Sequence, residues 1–490
     1  MGGRLADILE RLTTGIDGLD RVLRGGLVQG GAYIVQGRPG AGKTILANQT
    51  CFHHARQGGC VLYVTLLAES HTHLFRHLST LEFFDRGLIP DQVYYINANG
   101  TLADSGLPGF VDLLRGEMKR RRATLLVVDG LLTIRETAGS HIDLKECLQA
   151  VQGHAEFAGC TVLMLTSADL DEVSPEHTMA DGIIELAEDL AGVRAIRRLT
   201  VSKHRGSEKL GGLHQFEISA RGMSVHPRLE AVYATPSIED TVLTERTSTG
   251  IPALDFILGG GVARASTTLV LGASGTGKTT LGLNFLGQAS PEEPALHFGF
   301  YETPPRLRAK AQLLGIDLDG MVASGALDIL WQPATENLLD AVGHRLLDAV
   351  ERRGVRRLFI DGFGGFHKAS TNPARFLNFA TALVNELRAR GVTTVATWEV
   401  PRLFGGSVEA PMPEISSIVE NLLLLRFAEV GARVHRLLAI LKMRDSAYDP
   451  QIREFRITGH GIELAPTAES AEALLAGSAR VQTPPADQPH

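Results

Sequence analysis

Two short stretches carry the residues best placed to do chemistry. Gly37-Arg38-Pro39-Gly40-Ala41-Gly42-Lys43-Thr44 and Gly272-Ala273-Ser274-Gly275-Thr276-Gly277-Lys278-Thr279 both match GxxxxGK(S/T) at every fixed position. The glycines allow a tight loop whose N–H groups converge on phosphate oxygens, and the helix that follows adds the partial positive charge of its N-terminus. Lys43 and Lys278 are spaced to reach the β and γ phosphates of a nucleotide, and the Thr44 and Thr279 hydroxyls to ligate Mg2+. A single match could be a Gly-rich turn followed by a surface lysine. Two matches, each after an apolar run and before a helical pattern, specify phosphate-binding loops.

Phosphoryl chemistry asks for three further groups, and the sequence offers each of them twice. An acidic anchor for Mg2+ is expected at the end of an apolar strand. LLVVDG places Asp129 there and LFIDG places Asp361. A group that orients or deprotonates the attacking nucleophile is expected after the strand that follows the loop helix. Glu69 and Glu302 occupy matching places, and both are also suited to the first turn of the next helix. Cations that could neutralise a transferring phosphoryl group recur late in each half, as Lys203 and Arg205 and as Lys442 and Arg444. Their alternation sets each pair on one face of a strand.

These groups need a scaffold, and the sequence writes it twice. RLTTGIDGLDRVLRGG before the first loop returns as ERTSTGIPALDFILGG before the second. Gly37 to Gly272 is 235 residues and Asp129 to Asp361 is 232, so a whole domain has been duplicated. Strands are expected at Ala32–Gln36, Val61–Leu66, Thr124–Val128 and Thr161–Leu165, and again at Thr267–Leu271, Ala295–Phe300, Leu358–Ile360 and Val392–Thr397. Helical patterns lie between them, beginning with the one from Thr44. The fold class is therefore α/β, two tandem domains, each a mainly parallel sheet flanked by helices. The expected boundaries are residues 5–230, a linker at 231–244, a second domain at 245–466, and a disordered Ala-, Ser- and Pro-rich tail at 467–490. The basic clusters Lys119–Arg122 and Arg352–Arg357 read as cations closing helix C-termini.

At this point the residues resemble the KaiC family of the RecA superfamily, from about Arg11 to Leu464. The resemblance rests on TTGIDGLD and STGIPALD, both loops, both aspartate-ending strands, both Lys-x-Arg pairs, and the segment IREFRITGHGIEL. It implies RecA-like P-loop domains that bind ATP with Mg2+ and hydrolyse it slowly. It also implies a homo-oligomeric ring, usually hexameric, whose Lys203, Arg205, Lys442 and Arg444 would reach a neighbouring subunit's nucleotide. Regulatory protein partners and a role in signalling or circadian-type regulation are implied too. The family carries adjacent glutamates after the strand, whereas Ala68 and Tyr301 stand at the first of those positions here. In the family's clock members the second domain phosphorylates itself on a Ser-Thr pair. That segment reads PEISSIVENLLLLR here, which puts Ser416 and Ser417 on the pair.

Composition bounds the alternatives. With a net charge of −7 and 6% aromatic residues, the 490-residue chain has no broad basic, aromatic-bearing channel for nucleic acid. A DNA-dependent motor is the alternative that such a channel would have supported. A second alternative is a non-catalytic switch in which ATP drives assembly, and it draws on the missing first glutamates. The longest apolar stretches fall short of the ~20 residues a membrane helix needs, so the reading is cytoplasmic. Cys51, Cys60, Cys147 and Cys160 form no CxxC pair and read as small core residues of a reducing compartment.

Overall fold

The computed structural model describes residues 9–66, 71–168, 174–239, 244–400, 414–430, 433–444, 448–469 and 471. The chain divides between Val232 and Tyr233 into two compact units.

In the first unit, nine strands form one sheet. They are β1 (Ala32–Gly37), β2 (Val61–Thr65), β3 (Val93–Asn97), β4 (Leu125–Asp129), β5 (Thr161–Thr166), β6 (Gly182–Ala191), β7 (Arg194–His204), β8 (His214–Ser219) and β9 (Gly222–His226). Their order across the sheet is β3-β2-β4-β5-β1-β6-β7-β8-β9. The pairs from β3 to β6 are parallel, and those from β6 to β9 antiparallel. VLYVT and LLVVD are buried at every position, as strands covered on both faces must be. Alternate residues feed opposite cores: Val35, Tyr63, Val127 and Leu165 enter one, and Ile34, Leu62, Val128 and Met164 the other. Helix α1 (Lys43–Arg56) lies on the first of these through Leu46, Cys51 and Phe52. Each large apolar side chain buried there contributes about 1.5–3 kcal/mol, which keeps the loop at the helix start rigidly mounted.

The second unit repeats this sheet as β10 (Thr267–Gly272), β11 (Ala295–Gly299), β12 (Leu327–Trp331), β13 (Arg357–Asp361), β14 (Thr393–Glu399), β15 (Asn421–Val430), β16 (Arg433–Met443), β17 (Arg453–Thr458) and β18 (Gly461–Leu464). The order β12-β11-β13-β14-β10-β15-β16-β17-β18 is that of the first unit, strand for strand. The expected strands thus appear within a residue or two of their expected bounds.

Three features differ from expectation or refine it. Lys119, Arg120 and Arg121 do close the helix Asn99–Arg121, and Arg352 and Arg353 the helix Leu339–Arg353. Arg357 does not belong with them: it sits inside β13, is buried, and donates to the Ser248 carbonyl at 2.9 Å. A cluster read as one helix end spans a turn and a strand start, because Gly354 ends the helix in a left-handed conformation. The stretch expected as linker is tethered to the second unit, where the Ser237 backbone N–H and hydroxyl both donate to the Glu386 carboxylate. Ala468 and Ala471 are buried, so packed structure continues past residue 466, while residues 472–490 lie outside the described residues. Cys51, Cys147 and Cys160 are buried, Cys60 is partly so, and all four are free thiols.

Candidate functional site

Each phosphate loop leaves the C-terminal end of the central strand, β1 or β10, the edge at which open parallel sheets take ligands. Gly42 caps α1 with φ of 104°, and Gly277 caps α3 (Lys278–Leu286) with φ of 109°. A side chain at either place would also crowd the antiparallel end of the same sheet: a Cβ would lie 2.8 Å from Ile218 Cδ1 at Gly42 and 3.0 Å from Ile457 Cδ1 at Gly277. The loop sequence is therefore constrained by its neighbours as well as by its ligand.

The lysines fold back on their own loops. Lys43 Nζ donates to the carbonyls of Gly37 and Arg38 at 2.6 and 3.0 Å. Lys278 Nζ donates to those of Gly272 and Ala273, both at 2.7 Å. Burial lowers the pKa of both amines, opposed by Asp129 at Lys43 and by Glu399 and Asp361 at Lys278. A phosphate would replace neutral carbonyls with a full counter-charge, a stronger partner for each ammonium.

Asp129 and Asp361 end β4 and β13 beside the loops. Thr44 Oγ1 lies 3.4 Å from Asp129 Oδ2, and Thr279 Oγ1 donates to Asp361 Oδ2 at 3.1 Å. Hydroxyl and carboxylate oxygens converging at this distance are a hard-donor pair whose chemistry fits Mg2+. Thr44 with Asp129, and Thr279 with Asp361, would hold such a cation, which would offset phosphate charge. Asp361 also accepts from the Thr397 hydroxyl at 2.9 Å, and burial pushes its carboxyl upward against these two hydroxyls. In the second unit the loop, Asp361 and Glu302 line one cavity of about 760 Å3, together with Tyr301, Trp398 and Lys310.

Glu302 lies beyond β11 and is ion-paired with Lys310 of the helix Pro304–Leu313. Tyr301, about half exposed, has the Lys368 ammonium 5.0 Å from its ring centre. Glu69 lies outside the described residues, as does Ala68.

The Lys-x-Arg pairs do not approach the loop of their own unit among the contacts the structure records. In the first unit Lys203 Nζ donates to the carbonyls of His177 and Thr178, and Arg205 to that of Thr178, at the end of α2 (Pro175–Met179). In the second, Lys442 Nζ donates to the carbonyls of Ser416 and Val419, and Arg444 to that of Ser417, at the end of α4 (Ile415–Ile418). Each pair thus satisfies carbonyls that a helix end leaves open. The same geometry places Ser416 and Ser417 within a helical turn. Ser417 is exposed and Ser416 partly so. Their counterparts in the first unit are His177 and Thr178, because Thr178 to Ser417 and Arg205 to Arg444 are both 239 residues.

Sequence reading missed the residues beneath the Thr44–Asp129 pair. Tyr63 on β2 donates its hydroxyl to Asp129 Oδ2 at 2.8 Å while fully buried. Tyr95 on β3 packs beside it at a tilt of 35°, ring centres 4.9 Å apart, and donates to Asn48 Oδ1 at 2.7 Å. Asn48 in turn donates to the Thr44 carbonyl at 2.8 Å. The signal was available: a tyrosine in the middle of VLYVT, and an asparagine on the buried side of α1, are polar groups where the pattern asks for apolar ones.

Together the strand order, the loops at the C-terminal edge of each sheet and the aspartates beside them define a tandem RecA-like P-loop protein, built for nucleotide phosphates. The family follows from comparison with known proteins. The family model described as "ATPase: KaiC" matches residues 12–230 and again 247–469, and the chain belongs to that family of ATPases. It is 28% identical to the circadian clock oscillator protein KaiC of Prochlorococcus marinus, over 96% of this chain and 95% of the relative. It is 27% identical to the circadian clock protein KaiC3 of Synechocystis sp., again over 96% and 95%. Among the described residues no helix is long and apolar enough to cross a membrane.

Proposed function

We propose that this protein is a Mg2+-dependent ATPase with two working sites, assembled as a homo-oligomeric ring, whose second domain also transfers phosphate to its own Ser416 or Ser417. The observation that carries the reading is the convergence in both units of the loop threonine with the strand-end aspartate, at 3.4 and 3.1 Å, beside a lysine available to phosphate. In this reading Lys43 and Lys278 hold the β and γ phosphates, the loop backbones from Gly37 and from Gly272 cradle them, and Thr44, Asp129, Thr279 and Asp361 hold the cation. Glu69 and Glu302 act on the attacking oxygen. In hydrolysis, water adds to the γ-phosphorus as the bond to the β-bridging oxygen breaks, and ADP leaves. In self-phosphorylation, a serine Oγ takes the place of water and its proton passes to the base.

The ring supplies the Lys-x-Arg pairs with their task. Held near helix ends, with Arg205 and Arg444 exposed and Lys203 and Lys442 partly so, these cations would turn to a neighbour's phosphates. That these relatives are circadian clock proteins supports a regulatory role with protein partners. Nucleic acid is not among the partners proposed.

One observation favours the alternative of a non-catalytic assembly switch in the second domain: the Lys310 ammonium already occupies the Glu302 carboxylate. A time course with γ-labelled ATP separates the readings. Free phosphate supports hydrolysis. Label on the protein that disappears in S416A/S417A supports self-phosphorylation. Bound ATP yielding neither product would leave the switch. An oligomer mass that does not respond to ATP would remove the shared-site ring, because interface-bound nucleotide must stabilise the assembly by linkage.

A further inference from the structure

The two metal-side aspartates are held by different residues, and the difference extends through every position below them. Strand register makes Tyr63 and His297 counterparts: Tyr63 pairs with Val127 two residues before Asp129, and His297 pairs with Phe359 two residues before Asp361. Tyr95 corresponds to Ile329 by the pairing of β2 with β3 and of β11 with β12. Asn48 corresponds to Leu283 by the 235-residue spacing of the loops. A buried set of Tyr, Tyr and Asn in the first unit is thus His, Ile and Leu in the second. Both ring nitrogens of His297 lack a hydrogen-bond partner among the described residues. The second unit holds its aspartate from the other side instead, through Thr397 on β14. The matching place on β5 is Leu165, opposite Asp129.

We infer that Tyr63 is a positioning residue for the first metal site: its buried hydroxyl sets the Asp129 carboxylate toward Thr44, a task that Thr397 performs for Asp361. The hydroxyl donates to Asp129 Oδ2, the oxygen that also faces Thr44. It leaves Oδ1 to turn to other partners. Tyr95 and Asn48 hold the first turn of α1 from the same buried layer, so carboxylate and hydroxyl are fixed relative to one another. Groups one bond removed from a metal ligand orient it, and their loss weakens metal binding roughly tenfold or more. This inference rests on the first loop binding nucleotide with Mg2+.

The test uses the full chain with K278A, which leaves the first site as reporter, and a fluorescent ATP analogue. Mg2+ is titrated and analogue binding is read, with no turnover required. Y63F should raise the Mg2+ midpoint roughly tenfold, while analogue affinity without Mg2+ and the melting temperature stay near those of the parent. Y63F/L165T, which gives the first site the second site's arrangement, should recover most of the shift. The L165T rescue separates positioning from packing, since a merely structural role for Tyr63 would not be repaired from the opposite strand. In a K43A background, where the second site reports, Y63F should change nothing. A normal parent curve with a Y63F midpoint within about twofold of it would overturn the inference alone. A parent with no Mg2+-dependent binding would overturn the reading of the first site, and the inference with it.

Discussion

The first unit keeps a hydrogen-bonded polar set beneath its nucleotide site, and the second keeps an unpartnered histidine among apolar residues at the matching places. Tyr63, Tyr95 and Asn48 each have a hydrogen-bond partner, so burying them costs little. His297 is buried at the matching place with no partner for its ring among the described residues, packed 5.5 Å from Phe359 centre to centre. Duplication has conserved the positions of loop, aspartate and cation pair while the layer that supports them diverged. The phosphate contacts are set by backbone and a few fixed side chains, whereas the supporting layer has only to hold a carboxylate in place. Two solutions to that smaller problem coexist in one chain.

The comparison can be broken most directly at the lysines. Lys43→Ala and Lys278→Ala should each abolish one of two binding events in calorimetry, each at a cost on the order of 4 kcal/mol or about a thousandfold in affinity. If either variant removed both events, the units would not be separate sites.

The next largest effect sharpens the contrast at His297. Burial lowers its pKa from 6.5 to about 4, with the Glu302 carboxylate opposing. The folded form therefore holds a neutral ring while the unfolded chain takes up a proton below pH 6.5. Stability from this residue is complete above pH 6.5 and is lost as pH falls toward 4, reaching about 3 kcal/mol there. Urea unfolding of the full chain across this range should show that loss, and H297F should flatten it. An equal pH dependence in H297F would deny the histidine its part.

Smaller still is the effect expected at the caps. Gly42→Ala and Gly277→Ala each force a left-handed residue and a contact with Ile218 or Ile457. Each should cost roughly 1–2 kcal/mol by thermal unfolding, similarly in both units, since this part of the design is shared. The smallest stability change belongs to Lys203→Ala and Lys442→Ala, which remove a partly solvated contact to helix-end carbonyls worth below about 1 kcal/mol. If the neighbour-directed role is right, hydrolysis by the assembled protein should nevertheless fall at least tenfold, a split between stability and rate that a helix cap alone would not give.

Much of this molecule is legible without coordinates, for a physical reason: phosphate recognition is local. Eight consecutive residues make a loop, and an apolar run ending in aspartate makes its strand, so both survive as strings. The parallel strands were legible too, because burial on two faces leaves VLYVT and LLVVD almost wholly apolar. What could not be read was any relation between strands. Tyr63 meets Asp129 only because β2 lies beside β4, and Thr397 meets Asp361 only because β14 flanks β13 on the other side. The Lys-x-Arg pairs were visible as charges, but that they close α2 and α4 depends on a hairpin folding back over a helix 25 residues away in sequence. That Ser416 and Ser417 lie in a short helix held by such a contact is likewise not written in their segment. The sequence by itself determined the fold, the two loops and the strand-end acids, since each is encoded by neighbouring residues. Which side chains brace those acids, and how differently in the two halves, was decided by tertiary structure, because strand adjacency is a property of the sheet and not of any stretch of chain.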